Sequence, residues 1–104
     1  MDEKNKQDGS LNIELSAEIA EGQYANLAII SHSFSEFIID YVNIMPGVPK
    51  AKVKSRIIMT PQHTKRLMRA LADNIAKFEA AFGEISEPNV APPPINMITP
   101  AGEA

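Results

Sequence analysis

Gln23-Tyr-Ala-Asn-Leu-Ala-Ile-Ile-Ser-His-Ser-Phe-Ser-Glu-Phe-Ile-Ile-Asp-Tyr-Val-Asn-Ile-Met45 decides the fold. Residues 23–31 and 36–45 are both rich in Ile, Val, Phe and Tyr, side chains that fit a pleated, half-buried surface, while Ser31-His32-Ser33-Phe34-Ser35 between them has turn composition. The stretch therefore reads as a β-hairpin. Both of its strands carry apolar residues on both parities: Leu27 and Ile29 against Ala28 and Ile30, then Phe37, Ile39 and Tyr41 against Ile38, Val42 and Ile44. A single helix covers one face of such a sheet, so the second face has to meet something else.

Downstream, Met45-Pro46-Gly47-Val48-Pro49 is a loop by its Pro and Gly content, and Lys50 to Met59 is a third strand by its alternation. Thr60-Pro61 announces a helix, because Thr accepts from orphan amides at the N-cap and Pro suits the first helical position. Leu67, Leu71, Ile75, Phe78 and Phe82 then recur at helical spacing, and Gly83 is a natural stop. Upstream, Asn12-Ile13-Glu14-Leu15-Ser16 alternates like a short half-buried strand, and Ser16 to Gly22 reads as one helical turn or a wide connection. The fold class is α+β: a small antiparallel sheet of three or four strands followed by one amphipathic C-terminal helix.

The chain has 104 residues, enough for one small domain. Residues 1–10 contain no apolar residue beyond Met1 and read as a disordered arm. Residues 84–104 carry five prolines and read as a Pro-rich disordered tail, with Ala91-Pro92-Pro93-Pro94-Ile95 compatible with a polyproline-II ligand. The single folded domain is then residues 11–83. A core that small is marginal on its own, which favours self-association. No Cys is present, which excludes disulfides, thiolate metal sites and a Cys nucleophile and fits a reducing cytoplasm. No apolar run approaches the ~20 residues of a membrane-spanning helix, so the protein is expected to be soluble and cytoplasmic, without a membrane partner.

Charge carries more information than its total of -3. Residues 1–49 are net -6, residues 50–77 net +7 and residues 78–104 net -4. Within the basic block Lys50, Lys52, Lys54 and Arg56 fall at successive i, i+2 positions, which an extended strand places on one face, and the helix adds Lys65, Arg66 and Arg69 near its N-terminal end. These seven residues are the candidate partner- or anion-binding surface. An acidic protein partner is favoured over nucleic acid, because no aromatic residue interleaves the basic ones and no nucleic-acid module fingerprint is present. A solvated edge strand that uses Lys against aggregation explains the same pattern without any partner. The acidic first half can also pair with the basic strand, within one chain or across a dimer.

Few residues point to catalysis. His32, Glu36 and Asp40 share a parity near the hairpin, but the turn between them breaks it, and a turn histidine with two solvent- or Lys-facing carboxylates is the plainer reading. His63 lies at the third helical position without a neighbouring ligand, so neither it nor any Cys suggests a metal centre. Ser31, Ser33 and Ser35 are ordinary turn chemistry, and Met59 and Met68 read as core fillers. No phosphate-binding loop, dinucleotide fingerprint or nucleophile elbow occurs. No enzyme and no cofactor are expected. The reading is a homodimeric protein-interaction module, with nucleic-acid binding through the basic strand and helix face as its rival.

Asn26-Leu27-Ala28-Ile29-Ile30-Ser31-His32-Ser33, then Ser35-Glu36-Phe37, Met45-Pro46-Gly47, Ala51-Lys52-Val53-Lys54-Ser55-Arg56-Ile57 and Thr60-Pro61, resemble the uncharacterised bacterial family of domain of unknown function 3467. The resemblance runs over residues 12–82 and departs at position 34, where Phe stands for the family's Pro. It implies a strand-rich unit closed by one C-terminal helix. Relatives encoded beside large RNA polymerase subunit genes imply an accessory role near transcription, with the strand Lys50 to Arg56 docking on an acidic partner such as RNA polymerase.

Overall fold

A computed structural model describes residues 9–88 and 95–98. The order of elements is α1 (Ala17–Ala20), β1 (Leu27–His32), β2 (Phe37–Val42), β3 (Val53–Met59) and α2 (Pro61–Phe82). The three strands form one antiparallel sheet in the order β1-β2-β3, followed by the C-terminal helix, as the α+β reading expects. The chain divides into two compact units that part between Leu67 and Met68.

The hairpin forms where its composition places it, with a shorter turn. β1 runs on through His32, so the connection is residues 33–36, closed by the Ser33 amide donating to the Glu36 carbonyl at 2.8 Å. The Ser35 amide also donates to Ser33 Oγ at 3.3 Å, the local side-chain bond that makes serine a turn residue. Phe34 at the tip is fully exposed. In the register Leu27 faces Val42, Ile30 faces Ile39 and His32 faces Phe37, whose rings stack with centroids 5.2 Å apart. Beyond the strands, Asn26 prolongs the ladder: its amide N–H donates to the Val42 carbonyl, and its side chain both accepts from and donates to the Ile44 backbone.

Met45-Pro46-Gly47-Val48 makes the turn leading out of the hairpin. Pro46 supplies a fixed φ at the second position and Gly47 sits at φ 81° at the third, the left-handed value that this turn type demands. The Val48 amide closes it on the Met45 carbonyl at 3.2 Å.

Both helices carry the expected caps. Ser16 Oγ accepts from the Ile19 amide, and the Gly22 amide returns to the Ile19 carbonyl, so the first is the single turn suggested by its Ser and Gly. Thr60 Oγ1 accepts from the His63 amide at 3.3 Å, Pro61 occupies the first helical position, and Gly83 at φ 102° follows the last turn.

The reading of residues 12–16 as a strand is corrected. This segment lies outside the sheet, and Leu11, Ile13 and Leu15 are exposed. Alternation specifies which side chains share a face, but a strand also needs a neighbouring ladder, and among the described residues β1 and β3 are both left as edges. The polyproline-II reading of residues 91–94 lies outside the described residues, as does most of the N-terminal arm.

Among the described residues the buried apolar core is Ile39 and Val42 alone. They point to opposite faces of the central strand. On the Ile39 face Ile30 and Ile57 remain exposed, and on the Val42 face Val53 and Ile58 do. No residue of α2 is buried either. The expectation of apolar side chains on both sheet faces is thus met, and both sets stay largely open.

Candidate interaction surface

The basic strand holds two different kinds of cation. Lys50 and Lys52 precede β3 in the irregular segment after the Met45–Val48 turn and are exposed. Lys54 lies at a β-bulge: Tyr41 pairs with Ser55 and Val42 with Val53, so one extra residue of β3 stands against β2. A bulge breaks the period-two alternation on which a common face for residues 50, 52, 54 and 56 rests. Lys54 instead lines a groove between α1 and the sheet, together with Glu18, Glu21, Tyr41, Ser55 and Ile57. Glu18 and Glu21 line the groove along with Lys54, whereas the ion pair that joins the acidic first half to the basic strand is that of Asp40 with Arg56.

Arg56 has another role. It stands opposite Asp40 in the ladder, and its fork is bidentate: Nε donates to Oδ1 at 2.7 Å and Nη2 to Oδ2 at 2.9 Å. Asp40 is 2% exposed, whereas the Arg56 side chain is 48% exposed. The reading of Asp40 as a solvent-facing carboxylate is therefore corrected. It is the buried polar group of the sheet, held ionised by a guanidinium that reaches it from the neighbouring strand. The hydrogen bonds from Arg56 pull its pKa below the ordinary 3.8, against the opposing pull of burial, and the positive charge adds to the lowering.

This geometry dissolves the candidate acid/base group. His32 pairs with Phe37 and so shares the Ile39 face, while Asp40 alternates to the other side. Glu36 belongs to the turn, where its carbonyl accepts from Ser33. His63 serves in the first turn of α2. Among the described residues no three His, Asp or Glu side chains cluster in a way that could hold a metal ion.

Lys65, Arg66 and Arg69 are all exposed on α2. At ~100° per residue Arg66 and Arg69 lie on the side away from Leu71, Ile75 and Phe82, and Lys65 lies on a flank of that stripe. Further along, Asp73 accepts from Lys77 at 3.0 Å, an exposed i, i+4 pair of small energetic consequence. The stripe itself, Met68, Leu71, Ile75, Phe78 and Phe82, is exposed along its length.

Sequence reasoning missed the Asp40–Arg56 pair, although a signal existed. Asp40 interrupts the apolar run Phe37–Val42 and shares its parity with Ile38 and Val42. A carboxylate in that position is buried only with a counter-charge on the next strand.

Together these features define a small α+β module with exposed apolar side chains on its sheet faces and along its C-terminal helix and a divided set of surface cations. The chain belongs to a family described as Protein of unknown function (DUF3467), whose sequence profile matches residues 1–87. No curated protein and no solved structure matches it. Among the described residues no helix is long and apolar enough to cross a membrane.

Proposed function

We propose that the protein is a non-catalytic, homodimeric interaction module of the cytoplasm. The observation that carries this is the size of the core among the described residues, Ile39 and Val42, beside exposed apolar side chains on both sheet faces and along α2. Small domains bury too little surface to offset chain entropy comfortably, and contiguous apolar patches of this kind mark association surfaces. A second copy suits them by charge as well. Segments of -6 and +7 within one chain offer each copy a surface of opposite sign on the other.

Lys50 and Lys52, exposed ahead of β3, are the outward cations for an acidic protein partner, and Arg66 and Arg69 are exposed cations of α2. An accessory place near RNA polymerase is the version of this reading that the family resemblance suggests. Arg56 contributes to it through Asp40 and the sheet rather than by offering its fork to an anion.

Sedimentation equilibrium on the full chain from micromolar concentration upward tests the dimer, and a folded monomer throughout that range overturns it. Affinity capture from the native cell at two salt concentrations, with and without nuclease, tests the partner. Polymerase subunits retained after nuclease and lost on Lys50→Glu/Lys52→Glu support protein docking. Capture that nuclease abolishes replaces it with nucleic-acid binding, which shows a steep salt dependence.

A further inference from the structure

The apolar stripe of α2 has an internal design that selects one partner and one orientation. Met68, Leu71, Ile75, Phe78 and Phe82 are spaced by alternating steps of three and four, the a and d positions of a helix-pairing seam, and Thr64 continues the series backwards. All five of the apolar side chains are exposed. The seam tapers. It is narrow at Thr64, unbranched or aliphatic through the middle, and ends in Phe78 and Phe82, whose ring centroids are 5.1 Å apart.

We infer that α2 pairs with α2 of a second copy, antiparallel, about a two-fold axis level with Asp73. The inference rests on the homodimer reading and adds its contact element and register. With the axis there, each a position meets a d position: Thr64 meets the partner's Phe82, Met68 the partner's Phe78, and Leu71 the partner's Ile75. Wide layers thereby face narrow ones and the seam keeps a constant width over about 27 Å, from eighteen rises of ~1.5 Å. A parallel pair instead stacks Phe82 on Phe82 and Thr64 on Thr64, crowding one end and leaving the other open.

Charge selects the same register independently. The flanking e positions are Lys65, Ala72 and Glu79. In the antiparallel pair e faces e, so Lys65 of each copy meets the partner's Glu79, twice by symmetry, and Ala72 meets the partner's Ala72, where the small side chain lets the helices approach. In a parallel pair Lys65 faces Thr60 and Glu79 faces Asn74, with no charge matched. Lys65 is exposed and Glu79 is half-buried, with its Oε2 accepting from the Ile85 amide at 2.9 Å. Opposed helix dipoles favour the antiparallel arrangement further.

A zero-length carbodiimide cross-link on the full chain, read by peptide mass spectrometry, tests this register. Lys65 and Glu79 of one helix lie about 21 Å apart, so an amide between them forms only across two copies in antiparallel register. Charge reversal provides the second readout by sedimentation. Lys65→Glu and Glu79→Lys each weaken dimerisation about tenfold, and the double variant recovers most of the loss. A dimer that yields no Lys65–Glu79 amide and no recovery in the double variant overturns the helix register while leaving the homodimer reading intact. A monomer at all concentrations overturns both.

Discussion

The side-chain amide of Asn26 exchanges two hydrogen bonds with the backbone of Ile44, accepting its N–H at 2.7 Å and donating to its carbonyl at 2.9 Å. An amide side chain reproduces the peptide group, so Asn26 acts as an additional ladder rung beyond the end of the β1–β2 pair. It ties the chain entering the hairpin to the chain leaving it, eighteen residues later.

Asn26→Ala removes both bonds and is expected to cost about 1–3 kcal/mol, read as a lower urea midpoint at fixed protein concentration with an unchanged slope. Asn26→Asp keeps the acceptor and loses the donor, so its midpoint falls between those of the parent and the alanine variant. Equal midpoints for all three proteins contradict the rung.

The Asp40–Arg56 pair is lopsided, with the acid buried and the base half in water. Arg56→Met strands a buried carboxylate and is expected to cost roughly 3 kcal/mol or more. Asp40→Asn leaves a guanidinium that reaches solvent, with an amide still able to accept from it, and costs less. Urea titration of the two variants gives this order; the reverse order refutes the assignment of the burial penalty to Asp40.

The same pair sets an acid limb of stability. Because Asp40 titrates lower in the folded chain than its ordinary 3.8, its contribution is fully present above that value. The contribution is lost as pH falls from there through the lowered folded pKa. Thermal midpoints measured from pH 6 down to pH 2 should fall more steeply in the parent than in Asp40→Asn, which has no carboxylate to protonate at this position. Parallel curves count against the pair as their origin.

Thr60→Ala takes away the acceptor for the His63 amide at the start of α2. A loss of about 1 kcal/mol is expected, together with lower helical ellipticity. If α2 carries the dimer contact, the dimer dissociation constant rises in the same variant. A change in ellipticity without any change in dissociation constant separates the helix from the interface.

The hairpin and the C-terminal helix were legible because their signals are local: turn serines, Pro46-Gly47, Thr60-Pro61 and Gly83 each fix the backbone within a few residues of themselves, whereas Ser16 to Gly22 left a helical turn and a wide connection both open. The charge division was equally visible as composition. What sequence concealed was pairing across distance. Leu11, Ile13 and Leu15 alternate as strand residues do, yet no ladder receives them. The even spacing of Lys50, Lys52, Lys54 and Arg56 promised one face, but a bulge depends on the register between β2 and β3, which no run of residues displays. Asp40 was misplaced for the same reason, since its environment is set by Arg56 and Ile29 on strands that flank it.

The bulge at Lys54 also governs how copies of this chain can accumulate. β3 forms an outer rim of the sheet, and a flat rim invites strand after strand to add without limit. Beyond Ser55 the rim's hydrogen-bonding row falls out of step by one residue, at the point where an ammonium side chain stands. A chain aligning itself there loses its match midway, so growth into a fibril along this edge is opposed, and apolar surface as open as that of this protein can coexist with finite assemblies.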